Sequence, residues 1–239
     1  MTRFVFNDEG KLFREDLTIR EISITPGVMS SLFRGEPIPV PGIVSHQDMG
    51  LIGLSADPAK CWWTVQMKSL MLRCRFRHID DGTVVVVPDF GSDTSPILSI
   101  RWTPPADMKL ILFVPTYKVL ESIQEFRNNG ASYLFAMSDD KNLWRFPIGN
   151  LYDDCKLCLG NERFSGTNHL AVVKEVFNQL EKSEWNADLW SGDRATNTRK
   201  LFRFKVENEG FTQLPIENDW HWTALCNKVS LAIAERIVI

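Results

Sequence analysis

With 239 residues, 44% of them hydrophobic and 24% charged, the chain carries enough apolar side chain to bury a sizeable core. A net charge of −3 argues against a strongly basic nucleic-acid binder, and no apolar run approaches the ~20 residues of a membrane-spanning helix. Five cysteines are too few and too scattered for a disulfide framework.

The start, Met1-Thr2-Arg3-Phe4-Val5-Phe6, lacks the basic stretch and apolar run of a secretory signal. The expectation is a cytoplasmic protein with reduced thiols. Residues 1–60 read as short strands and turns, a β-rich extension or subdomain punctuated by Asn7-Asp8-Glu9-Gly10, Pro26-Gly27 and the alternating Pro37, Pro39 and Pro41. Residues 61–239 read as the main domain.

Within that domain, Trp62 to Phe76 fits one or two strands, with Met67 to Leu72 open to a helical start. The alternation Arg73-Cys74-Arg75-Phe76-Arg77 suits a half-exposed strand. Asp80-Asp81-Gly82 is a turn signal before the β-branched run Thr83 to Val87. Ile97 to Trp102 and Lys109 to Val114 are further strands, each closed by proline. Val119 to Phe126 is expected as a short helix stopped by Asn128-Asn129-Gly130. Ser132 to Met137 is the last strand of an antiparallel meander.

Helices are expected to follow. Asn168 can cap one running through Leu170, Val173, Val176, Phe177 and Leu180, with His169 a surface or capping residue. Residues 191–210 read as a polar loop with one strand, Leu201 to Val206. Residues 219–239 read as a second amphipathic helix presenting Trp222, Leu225, Val229, Ala232 and Ile233. Meander, irregular loop and helices together imply an α+β domain.

The chemistry lies in Pro147-Ile148-Gly149-Asn150-Leu151-Tyr152-Asp153-Asp154-Cys155-Lys156-Leu157-Cys158-Leu159-Gly160-Asn161. Cys158 sits between two leucines, eight positions after Asn150. A thiol held in an apolar run is a candidate nucleophile, and an uncharged amide nearby suits a transient oxyanion. The Tyr152-Asp153-Asp154 turn lets the chain double back so that the two converge. No histidine base lies in the segment, which fits transthiolation from an activated thioester better than hydrolysis.

This interval, with Leu-Tyr after the asparagine and Leu-Cys-Leu at its end, resembles the active-site segment of ubiquitin-conjugating enzymes. More closely, Pro-x-x-Asn followed by Cys-x-Gly-Asn is similar to the prokaryotic ubiquitin-conjugating-like family D, which includes the B component of the PRTRC system. Trp102-Thr103-Pro104-Pro105, Leu110 to Val114 and Tyr133 to Met137 resemble its meander, and the similarity covers about residues 98–190. The resemblance implies a ubiquitin-conjugating-like (UBC) fold. It also implies a carrier that accepts a ubiquitin-like modifier on Cys158 from an adenylating ThiF-type enzyme, with Asn150 as oxyanion stabiliser. A JAB-type peptidase is an implied companion, and no cofactor, metal, nucleic acid or membrane is called for.

Two departures stand out. Ile148-Gly149 replace the His-Pro before the asparagine, and Cys155 stands where eukaryotic members of the family have glycine, which either strains a positive-φ turn there or moves the turn to Asp153-Asp154. The carboxylate that usually prepares the acceptor lysine has three candidates: Asp153, Asp154 and Asp188. A silent scaffold binding the modifier or other conjugation components is the alternative reading. Cys158 as a small structural hydrophobe, a Cys155/Cys158 half zinc site completed by Cys61, Cys74 or Cys226, and a Cys155–Cys158 disulfide are the others.

Overall fold

The computed structural model describes residues 3–6, 12–15, 21–22, 49–56, 60–80, 82–87, 94–120, 123–128, 131–140, 142–160, 163–185, 189, 193–208, 210–217, 220 and 223–224. In chain order the strands begin β1 (Arg3–Phe6), β2 (Leu12–Glu15), β3 (Glu21–Ile22), β4 (Met49–Ala56), β5 (Lys60–Met67), β6 (Leu70–Asp80), β7 (Thr83–Val86) and β8 (Ile97–Trp102). They continue with β9 (Met108–Leu120), β10 (Ile123–Asn128), β11 (Tyr133–Ser138), β12 (Leu143–Arg145) and β13 (Phe164–Gly166). Helices α1 (His169–Lys182) and α2 (Asp193–Leu201) come next. Then follow β14 (Arg203–Glu207), β15 (Gly210–Gln213) and β16 (Thr223–Ala224).

The strands form three sheets. β1, β2 and β3 make a small one. An eight-stranded sheet is organised around β9, which pairs with β5 along one edge from Leu110 to Tyr117. Its other edge is shared by β11 over Met108–Phe113 and by β10 from Tyr117. β4 pairs with β5. The third sheet has the order β15-β14-β7-β6-β8.

This arrangement corrects the expected α+β, UBC-like architecture. Sixteen strands accompany two helices among the described residues, and the supposed meander is divided between two sheets. β6, β7 and β8 leave for the five-stranded sheet, which is completed by β14 and β15 from beyond the helices. That sheet is nearly closed on itself. Gln213 on edge strand β15 takes Thr103 N–H on Oε1 and donates Nε2 to Thr103 O, both at 2.8 Å, just past the opposite edge strand. Alternation in the sequence identifies strands; it does not say which sheet a strand joins.

β6 shows the alternation directly: Leu70, Leu72, Cys74 and Phe76 are buried while the arginines between them face out. The inward side chains meet an aromatic centre. Trp102 stands edge-on to Phe202 at 5.1 Å, with Phe146 at 5.6 Å from Trp102 and Trp185 at 5.8 Å from Phe202. α1 covers part of the same core with Val172, Val173, Val176, Phe177 and Leu180, each stabilising by about 1.5–3 kcal/mol when fully buried. Its start is the expected one, Asn168 Oδ1 accepting from Ala171 N–H at 2.8 Å.

Other expectations change for local reasons. Lys109 to Val114 does not stop at Pro115, because β9 runs on to Leu120. Pro115 lies between the stretches of β9 that pair with β11 and β10, and its carbonyl accepts Asn128 Nδ2 at 2.5 Å, so its missing N–H interrupts no pairing on that edge. The helix expected over Val119 to Phe126 is instead the β9–β10 hairpin, where extending β9 gives the short apolar run a strand partner. The polar loop expected at 191–210 contains α2. That helix buries Asn197, Thr198 and Leu201, a stripe too polar for hydrophobic periodicity to reveal. The helix expected at 219–239 falls mostly outside the described residues, although Thr223–Ala224 is a strand paired with β12.

Candidate functional site

Asn150 and Cys158 are brought together by a short two-stranded ribbon. Leu151 and Leu157 face each other across it and are buried. Cys158 N–H donates to Asn150 O at 2.8 Å, and Tyr152 N–H to Lys156 O at 2.9 Å. Cys155 N–H closes the turn on Tyr152 O at 3.0 Å, and Asp154 Oδ1 accepts Lys156 N–H at 3.0 Å. The turn needs a left-handed residue, and Cys155 supplies it at φ 65. A non-glycine residue there is strained by about 1–2 kcal/mol, set against full burial of the Cys155 side chain in the core.

The ribbon is fixed to the body of the protein. Leu134 N–H donates to Cys155 O at 3.0 Å, and Leu157 N–H to Ser132 O at 2.8 Å, so its second arm extends the edge of β11. Upstream, Thr198 Oγ1 of α2 donates to Pro147 O at 2.8 Å. Backbone placement of this kind is the preorganisation that a reacting group needs.

With Leu151 and Leu157 turned inward, Asn150, Tyr152 and Cys158 fall on the other face. Cys158 is half-buried and Tyr152 is 42% exposed. The Tyr152 hydroxyl donates to Cys158 Sγ at 3.4 Å. That hydrogen bond, followed by charge on the sulfur, holds the Tyr152 phenol above its ordinary value; slight burial and the Asp154 carboxylate add to it. Tyr133, behind the turn, is raised by burial and then by Asp154.

Asn150 is only 7% exposed, and its Nδ2 donates to Glu184 O at 3.0 Å. Glu184 follows the end of α1. There Arg73 donates to Lys182 O at 2.8 Å and meets Glu184 Oε1 at 3.5 Å, while Trp185 N–H donates to Arg73 O at 2.7 Å. The amide therefore ties the ribbon to α1 and β6. As an oxyanion donor it must use its second hydrogen or leave Glu184.

The remaining candidates have visible structural work. Asp153 is ion-paired with Arg145, and Asp154 caps the turn. Asp188 and Cys226 lie outside the described residues. His169 is neither a simple surface residue nor the cap: Nδ1 is 2.8 Å from Thr116 Oγ1, and the ring stands against Phe126 at 4.3 Å. Cys155 in the core and Cys158 on the ribbon's outer face are separate thiols. Among the described residues no group of three or more His, Cys, Asp or Glu is placed to hold a metal ion, and no helix is long and apolar enough to cross a membrane.

Tyr152 was read from the sequence as part of the turn and of the resemblance, with no chemical role of its own. Parity could have found it: residues 152 and 158 share a face of any ribbon that pairs 151 with 157. Compared with protein-family models, curated proteins and solved structures, the chain matches none.

Proposed function

We propose that this chain is a thiol carrier, accepting a ubiquitin-like modifier as a thioester on Cys158 from an adenylating ThiF-type enzyme and passing it to an acceptor. The reading rests on the local ribbon, not on the overall fold. The observation that carries it is a half-buried Cys158 on a ribbon hydrogen-bonded to β11, with an uncharged hydroxyl donor at its sulfur. Thioester exchange needs a reachable thiol and a donor for the tetrahedral intermediate, and an already activated acyl group dispenses with a strong base. In that exchange the Cys158 thiolate bonds to the carbonyl carbon, and the activating enzyme's thiolate departs.

The test is a non-reducing gel after incubation with a ubiquitin-like protein, a ThiF-type enzyme and ATP. A thiol-sensitive adduct lost in Cys158→Ala supports the carrier; an adduct that persists without Cys158 refutes it. One observation favours a second reading, a silent scaffold: the Asn150 amide is already engaged by Glu184 O. A stable complex that forms equally well with Cys158→Ala, and no adduct, would select the scaffold.

A further inference from the structure

We propose that Tyr152, rather than Asn150, donates the hydrogen bond to the oxyanion when Cys158 undergoes acyl transfer. The inference rests on the carrier reading for the identity of the nucleophile, and it deepens that reading by assigning the donor.

Tyr152 is within reach of the oxyanion and Asn150 is not placed for it. An oxyanion forms on the oxygen two bonds from Sγ, and the Tyr152 hydroxyl is already 3.4 Å from that sulfur. A short pivot of the phenol carries its hydrogen from Sγ to the new oxyanion, where donors act at about 2.7–3.1 Å. Tyr152 and Cys158 stand on the same face of the ribbon, and Tyr152 is 42% exposed, so an incoming carbonyl meets both groups together. Asn150 is placed differently. It is 7% exposed, and its amide holds the carbonyl of Glu184. To reach an oxyanion the amide must turn its second hydrogen out of a mostly buried position or give up its bond to Glu184 O, and either move works against a preorganised donor.

Charge bookkeeping also suits a phenol. It is a neutral donor at neutral pH, and its hydrogen bond to Sγ further favours the protonated form. In the step itself the Cys158 proton has gone to solvent and the thiolate attacks the acyl carbon. The carbonyl electron pair moves to oxygen, where the Tyr152 hydroxyl meets it. Collapse restores the carbonyl and expels the donor's thiolate, which takes a proton from water. Tyr152 lends its hydrogen and keeps it.

The test uses the full chain and two small probes, followed by peptide mass spectrometry at Cys158. The benzyl thioester of N-acetylglycine reports acyl transfer through an oxyanion. Iodoacetamide reports the same thiol through a displacement that forms none. Tyr152→Phe is expected to slow acylation about a hundredfold relative to wild type while alkylation stays close to wild type. Folded Asn150→Ala is expected to acylate at close to the wild-type rate.

Equal acylation by Tyr152→Phe and wild type overturns the proposal. A parallel fall in acylation and alkylation does so too, as does a large selective loss of acylation in Asn150→Ala. A wild-type Cys158 that alkylates but never acylates also overturns it. Failure of the carrier reading appears elsewhere, as a missing modifier adduct, because neither probe needs a modifier or an activating enzyme.

Discussion

Asn150 donates its side-chain amide to the Glu184 carbonyl at 3.0 Å, and through Glu184 the ribbon bearing Cys158 is joined to Arg73 of β6. A side chain picked out in the sequence for chemistry thus holds three elements in place. Its removal leaves the Glu184 carbonyl without that donor. Asn150→Ala should lower stability by about 0.5–1.5 kcal/mol, read as a lower urea midpoint. Asn150→Asp should be worse, since it sets a carboxylate against the carbonyl. An unchanged midpoint in both variants would show that the amide holds nothing.

The Gln213–Thr103 contact makes a separate prediction about the fold. One side-chain amide copies a peptide group, accepting from Thr103 N–H and donating to Thr103 O across the gap between β15 and the end of β8. Gln213→Glu keeps the size and the acceptor but loses the Nε2 donor. It should destabilise by about 0.5–1.5 kcal/mol and speed exchange of the Thr103 amide hydrogen as the closure loosens. Protection at Thr103 equal to wild type would mean that the sheet closes without this contact.

Much of the secondary structure was legible and the assembly was not, for physical reasons. β8 and β11 are short apolar runs bounded by turn residues, α1 carries helical periodicity, and Asn168 caps α1 as expected. The turn after Tyr152 was legible, but whether its left-handed residue would be Cys155 or the turn would move to Asp153-Asp154 was open, and it falls at Cys155. Sheet membership was hidden: β5 and β6 are separated by only Lys68 and Ser69 yet enter different sheets. α2 escaped because Asn197 and Thr198 make polar contacts where a hydrophobic stripe was sought. The doubling-back that sets Asn150 beside Cys158 was legible, but the Glu184 carbonyl that holds the amide comes from 34 residues away.

Cys155 allows an inverted test of backbone strain. Alanine is normally better tolerated than glycine, because glycine loses more entropy on folding. At φ 65 the order should reverse. Cys155→Ala and Cys155→Gly both remove the buried thiol, so their difference isolates the left-handed backbone. Cys155→Gly should be the more stable of the two by about 1 kcal/mol, and Cys155→Val the least stable of the three. A urea series in which alanine wins would mean that the turn is not strained at this residue.

The Tyr152 phenol should titrate late as pH rises. Tyr152 is held above its ordinary value near 10, first by its hydrogen bond to Cys158 and then by charge on that sulfur. A raised folded value means that the neutral phenol is the form stabilised by folding. This contribution is fully present below the unfolded value near 10, and it is lost as pH climbs through the raised folded value. Tyrosinate absorbance of the native protein should therefore rise later than that of the urea-unfolded chain. Cys158→Ala should return one phenol toward 10 and leave Tyr133 raised, because burial and Asp154 act on Tyr133 without Cys158. Superimposable titrations of the two native proteins would show that the hydroxyl does not bind the sulfur in solution, and the donor role of Tyr152 would fall with it.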